Sequence, residues 1–208
     1  MKHPERIPLF PLKLVLFPGM SLPLHIFEPR YKRMTQRCLA EQMPFGTILA
    51  SEKGMATVGT TAEIVQKVKE YPDGRMDILT VGQAIFSVNE LFNDEEYLEA
   101  LIEYQADPPQ PPDPLQQAEL VGQFNRCHTL LLYGHPWSSS GEDEPFPLSF
   151  SLAALLPLDL VEKQRLLEMP GENTRRAYLL DRIVQLIPQI LERQRIRRSA
   201  GGNGHPIN

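Results

Sequence analysis

Disulfide chemistry is the first thing this sequence lacks. Two cysteines, Cys38 and Cys127, stand among 208 residues. That is too few for a disulfide framework and is in keeping with a reducing compartment. Long apolar runs are missing as well. The best candidate, "LSFSLAALLPLDLV", falls short of the roughly 20 residues a membrane helix needs, and Pro157 and Asp159 interrupt it. The opening "MKHPERIPLF" has no signal-peptide apolar run. These absences predict a soluble, cytoplasmic chain with no membrane partner.

No excess of positive charge is present. The formal net charge is −5 and the isoelectric point about 5.6. Residues 1–106 carry 11 basic and 14 acidic side chains, which counts against a nucleic-acid binder. The local exceptions are Lys67, Lys69 and Arg75, and the run Arg193, Arg195, Arg197 and Arg198. The run suits a helix C-terminus or an acidic partner.

Catalytic signatures are absent too. No G-x-x-x-x-G-K-[ST] loop occurs, no G-x-G-x-x-G opens a helix, and no G-x-S-x-G elbow surrounds Ser149 or Ser151. His3, His25, His128, His135 and His205 form no ligand-spaced pair. Cys127 and His128 are neighbours, and consecutive helical residues point about 100° apart. Cys38 falls on the predicted buried face of a helix, where a thiol is inert packing. No metal, cofactor or catalytic residue is expected. The acidic runs "NDEEYLE" and "GEDEP" read as solvated surface.

Proline is what the chain has in plenty, at 20 residues, and it marks many fixed turns. Residues 7–17, "IPLFPLKLVLF", are apolar but broken by Pro8 and Pro11, which implies an edge strand or a bulge. Pro18-Gly19 marks a turn and "SLPLHIF" a second strand. Tyr31, Met34 and Cys38 then share one helical face, with Pro29 at the first helical position and Glu28 before it. "FGTILAS", "TVGTTAEIVQKVKEY", "RMDILTVGQAIFSVNEL" and "YLEALIEYQ" read as strands. The turn "PDGR" invites an Asp-Gly hairpin, and Gly82 a bulge or bend.

After the proline-rich "ADPPQPPDP" the period becomes helical. Asp159 and Glu162 suit a capping box. A long last helix has Ala177, Leu180, Val184, Ile187 and Leu191 as apolar positions, with Pro188 a kink. The reading is α+β: a β-barrel with one helix over 5–106, a linker over 107–114, a helical bundle over 115–198 and a flexible tail over 199–208.

Three blocks, "IPLFPLKLVLFPGMSLPLHIFEPRY", "VGTTAEIVQKVKEYPDGRMDILTVGQAIFSV" and "LPLDLVEKQRLLEM", resemble the amino-terminal, substrate-binding domain of ATP-dependent Lon proteases in order and spacing, over about residues 6–185. The resemblance implies a PUA-like pseudo-barrel followed by a helical bundle. It implies recognition of protein substrates, unfolded or specific clients, as in protein quality control or as an adaptor beside a protease complex. The ATPase and Ser-Lys peptidase motifs of the full protease are not in these 208 residues, so a non-enzymatic module is expected. Alternative readings are a PUA-like RNA-binding module, disfavoured by the acidic front half, and a small-molecule enzyme. Candidate recognition residues are Phe17 and Met20 of the apolar turn, and His25, Glu28, Arg30 and Tyr31 of "LPLHIFEPRY". For that second stretch, strand-to-helix joint and recognition surface are both open.

Overall fold

The computed structural model describes residues 5–131 and 146–201, apart from 53 and 112. Six strands and five helices alternate in the order β1 (Glu5–Leu12), β2 (Ser21–Ile26), α1 (Pro29–Glu41), β3 (Phe45–Ser51), β4 (Gly54–Glu70), β5 (Met76–Phe92), β6 (Glu99–Tyr104), α2 (Pro114–Leu131), α3 (Leu148–Leu155), α4 (Leu160–Glu168) and α5 (Glu172–Gly201). The acidic run "GEDEP", and most of the tail expected over 199–208, lie outside the described residues. The α+β class and the long last helix agree with the sequence reading.

The sheet closes on itself. Its strands lie in the order β2-β5-β4-β3-β1-β6, and β6 pairs back to β5. Residues 5–8 of β1 pair with β6 and residues 9–12 with β3. This handover accounts for the prolines. The Leu9 N–H donates to Leu98 O at 2.7 Å, so by strand alternation Pro8 faces the β3 side before that pairing begins. Pro11 faces the β6 side after that pairing has ended. Each half of β1 is thus open on one side, and each proline takes the unpaired side, as the edge reading expected, although the strand as a whole joins two neighbours.

Ile7, Leu9, Ile48, Phe86, Ala100 and Ile102 fill the barrel. Gly46 and Gly59 make room for the Phe86 ring, which would lie 2.8 and 2.7 Å from a Cβ at either position. A second core packs Met34 and Cys38 of α1 on Leu22, Ile26, Met76 and Ile78. Gly82 sits where the β4–β5 register shifts; a Cβ there would lie 2.3 Å from Phe17 O.

The Asp-Gly expectation needs correction. The connection is a three-residue loop, Pro72 to Gly74, with Tyr71 N bonded to Arg75 O at 2.9 Å and Gly74 N to Tyr71 O at 2.9 Å. Of its residues only Gly74, φ +79°, is left-handed, which is the type I turn with a terminal glycine bulge.

The acidic run "NDEEYLE" is exposed over residues 93–96, as expected, but its last carboxylate is not. Glu99, 4% exposed, accepts from Arg6 Nε at 2.7 Å and from Arg37 Nη1 at 2.5 Å. Asp94 pairs with Arg6 at 2.9 Å, and Glu96 with Arg33. The run clasps β1 and α1 by charge-assisted bonds.

The chain divides into two compact units. The first holds residues 5–108 and also 146–169, so α3 and α4 do not belong to the continuous bundle expected over 115–198. Phe150 of α3 stacks on Phe17 at 5.3 Å, and Gln164 of α4 donates to Val58 O at 3.0 Å. The Asp159–Glu162 capping box is formed in full. The second unit holds residues 109–131 and 170–201. There the proline-rich segment is tied down: Gln110 Oε1 accepts from Asn173 N at 2.7 Å, and Pro111 O from Asn173 Nδ2 at 3.0 Å. Gln116 of α2 donates to Asn173 O at 3.2 Å and Gln194 of α5 to Leu130 O at 2.7 Å. Start thus meets start and end meets end, and the two helices run parallel.

Of the five apolar positions of α5 read from sequence only Ile187 is buried, with Leu179, Ile183 and Ile190 completing the inner stripe. The helix carries two apolar stripes about 100° apart, and three-four spacing fits both.

Candidate functional site

The barrel closes at only one end of its long hairpin. β5 residues 76–81 pair with β2 on one side and with the far half of β4 on the other. Among the described residues neither outer strand has another partner there, so β2, β5 and β4 form a three-stranded arm with two unpaired edges. Gly82 N donates to Met20 O at 3.0 Å. By alternation, even-numbered residues of β2 face β5 while Ser21, Pro23 and His25 offer their backbone groups to solvent. Pro23 removes one donor from that edge, and the β4 edge carries register shifts near Val65 and Val68, as protected edges do.

The inner face of the arm is core. Its outer face pairs Pro23 with Leu79, Ser21 with Val81, and His25 with Asp77. Leu79 and Val81 remain partly open and Pro23 is exposed. At the tip, His25 Nδ1 lies 2.6 Å from Asp77 Oδ1, and Tyr71 donates its hydroxyl to Asp77 Oδ2 at 2.8 Å. The bonds from His25 and then Tyr71 hold the Asp77 carboxyl below its ordinary range. Phe27, 59% exposed, stacks beside His25 at 6.0 Å. Tyr71 meets the His25 ring edge-on at 5.9 Å and has Lys69 4.4 Å and Arg75 5.0 Å from its ring centre. Lys32 of α1 donates to Asp73 O at 2.8 Å and ties the turn to the helix.

The six sequence candidates separate. Phe17 is 0% exposed and stacked on Phe150; it is a core ring out of reach of any partner. Met20 is half-buried and packs on the α1 core. His25 stands in the tip cluster. Glu28 caps α1 through its backbone, Lys32 N bonding to Glu28 O at 3.0 Å. Its carboxylate pairs with Arg30 at 2.7 Å rather than capping. The Arg30 guanidinium lies 4.6 Å over the Tyr31 ring, and Tyr31 packs on Phe10 at 4.1 Å. Burial pushes the Tyr31 hydroxyl up, against the pull of Arg30. The joint reading of "LPLHIFEPRY" therefore describes its backbone, while His25, Glu28 and Arg30 present side chains to solvent.

Sequence reasoning passed over Phe27, Tyr71, Asp77 and the Pro23–Leu79 row. Two strands in known register would have placed His25 across from Asp77, but register is not visible in a single strand's pattern.

The arrangement is not a basic surface. Lys67 pairs with Glu70 at 2.6 Å and Arg75 with Asp73 at 2.7 Å. A groove of about 620 Å³ lies by the end of α1, lined by Cys38, Gln42, Met43, Glu63, Ile64 and Gln83 among others. Burial pushes its Cys38 thiol up to about 12, so it carries no thiolate near neutral pH. Among the described residues no group of three His, Cys, Asp or Glu could hold a metal ion, and no helix is long and apolar enough to cross a membrane.

The fold is thus a closed barrel with an open arm, sharing its unit with α3 and α4, and a second unit built on the helix pair α2 and α5. The family described as "ATP-dependent protease La (LON) substrate-binding domain" matches residues 6–185, and the chain belongs to it. The Lon protease of Escherichia coli (strain K12) is 29% identical over 216 aligned residues, covering 94% of this chain and 27% of that protein. The chain thus spans about a quarter of that relative's length. The crystal structure of a Lon N-terminal domain protein from Xanthomonas campestris superposes with a TM-score of 0.67 at 26% identity, covering 85% of this chain and 98% of that one. The N-terminal domain of Mycobacterium avium complex Lon protease shares the fold, with a TM-score of 0.60 at 15% identity and coverage of 86% and 98%.

Proposed function

We propose that this chain is a non-enzymatic recognition module that binds extended or unfolded segments of client proteins on the outer face and tip of the β2–β5–β4 arm. One observation carries the assignment to this surface: a ring cluster of exposed Phe27 and His25 with half-buried Tyr71 stands at the end of a partly apolar sheet row. Aromatic and apolar groups beside polar ones suit varied polypeptide side chains. The free backbone of β2 at Ser21 and His25 suits an added strand. Met20, Glu28, Arg30 and Tyr31 form the adjoining wall by α1. Membership in a substrate-binding family supports the role. Delivery of clients to a separate protease, as an adaptor in cytoplasmic quality control, is the cellular setting this reading favours.

The test is fluorescence anisotropy of a permanently unfolded, labelled polypeptide against the purified chain, with the same polypeptide folded as control. Selective binding of the unfolded form is expected. Phe27→Ala and Tyr71→Ala should each weaken it about tenfold, a loss of about 1.4 kcal/mol, with the thermal midpoint nearly unchanged. Equal binding of both forms, or full binding by the double variant, would remove this surface from the reading.

A further inference from the structure

We infer that the exposed face of the α2–α5 pair is a docking surface for a second copy of this chain, arranged antiparallel about a two-fold axis. This stands apart from the arm and from client recognition.

The face is the apolar stripe that α5 does not bury. Ala177, Leu180, Val184 and Leu191 follow one another at steps of three, four and seven residues, which keep to one helical face, and Arg195 continues the line. Val184 is 52% and Leu191 44% exposed. From Ala177 to Arg195 the stripe is about 27 Å long at 1.5 Å per residue. On α2, Leu115, Glu119, Gly122, Arg126 and Leu130 lie along a matching line by the same geometry. Leu115 is 84% exposed, and a Cβ at Gly122 would meet nothing within 4 Å, leaving a trough midway. Two grooves lie along the pair: one of about 610 Å³ toward its start, lined by Leu115, Glu119, Leu180 and Val184 among others, and one of about 390 Å³ toward its end, lined by Arg126, Leu130 and Leu191 among others.

Charge selects the occupant. The start of the face carries Asp113, Glu119 and Asp181. Asp113 also caps α2 at Gln116 N, 3.0 Å, and Asp181 accepts from Gln185 at 2.8 Å; neither bond neutralises the carboxylate. The end carries Arg126 and Arg195, with Glu192 3.9 Å from the latter. Because α2 and α5 run parallel, the acidic and basic ends are separated along one axis. A two-fold axis near Val184 would set each acidic end on the basic end of the other copy and apolar middle on apolar middle. A face that complements itself under two-fold rotation is what an isologous contact requires, and the product is a four-helix interface.

The test is the mass of the 208-residue chain in solution, by light scattering or sedimentation, from micromolar to hundreds of micromolar. Association toward twice the 23.7 kDa chain mass is expected, weakening with salt. Val184→Glu should raise the dimer dissociation constant at least tenfold while leaving the circular dichroism and melting temperature in place. The decisive arm uses two charge variants, Glu119→Arg with Asp181→Arg, and Arg126→Glu with Arg195→Glu. Each alone has like charges at both ends and should remain monomeric, and their mixture should form heterodimers. A monomeric wild type throughout, or a mixture no more associated than its components, overturns the proposal. So does dimerisation of either charge variant as strong as that of the wild type.

Discussion

The strands β4 and β5 serve two regions that differ in almost every respect but their covalent chain. In the barrel half, around Gly59 and Phe86, both strands have partners on either side and the interior is filled. In the arm half, around Lys69 and Asp77, only β5 is flanked on both sides, and the outer face holds rings, a histidine and paired charges. Closure removes strand edges and makes stability. The arm gives up closure and gains a surface on which backbone and side chains can both meet a partner. The difference teaches that one hairpin can supply a rigid frame and an open face, provided the open edges are blunted by a proline and by register shifts.

The comparison breaks most sharply with Phe86→Ala. This ring fills the space over two glycines, and its loss should leave a cavity costing about 4 kcal/mol, seen as a large fall in the urea midpoint. Polypeptide binding by the fraction still folded should be unchanged, because the arm does not use the ring. Glu99→Gln comes next. Arg6 and Arg37 would both lose a buried carboxylate, and about 3 kcal/mol of stability should go with it. Both guanidiniums are partly exposed and can rehydrate, which keeps the loss toward the lower end for a buried pair.

The two regions were also unequally legible in sequence. The Tyr31, Met34 and Cys38 face, the strand "RMDILTVGQAIFSVNEL" and the Asp159 cap follow from local spacing, and all stand in the structure. What local spacing cannot carry is pairing. The handover of β1 between two strands makes its prolines look like those of an edge. The acidic run after β5 is a clasp only because Arg6 and Arg37 arrive from residues far away in the chain. Phe17 looked like a surface turn because Phe150, which covers it, lies 133 positions later, a separation set by the two residue numbers. The tip cluster was half legible: His25 stands in the chosen stretch, while Tyr71 and Asp77 come from another hairpin.

Pro23→Thr sharpens the comparison from the arm side. The substitution restores an N–H to the free edge of β2, at a position where a β-branched residue fits a strand. Stability should move by about 0.5 kcal/mol or less. The larger effect is on association: light scattering on warming should rise earlier than in the wild type, because the edge then offers an uninterrupted row of donors. The equivalent exchange at Pro8, inside the closed barrel, should leave scattering below the melting transition unaltered.

The smallest effect concerns pH and reads the tip alone. Asp77 bonded by His25 and Tyr71 has its carboxyl below the ordinary value of 3.8. A depressed carboxylate contributes stability that is fully present above its unfolded value and is lost as pH falls through the folded one. Asp77→Asn should therefore melt slightly below the wild type at neutral pH, with the gap closing as pH falls from about 5 toward 3. The side chain is open to water, so the gap is small. The arm's stability depends on this group only slightly, while the placement of the His25 and Tyr71 rings rests on it directly. If the tip is the recognition surface, polypeptide binding should decline through the same pH window in the wild type and be flat in the variant. If binding in the two proteins follows one curve, the carboxylate that gathers the rings has no part in recognition, and the contact lies on the Pro23–Leu79 row alone.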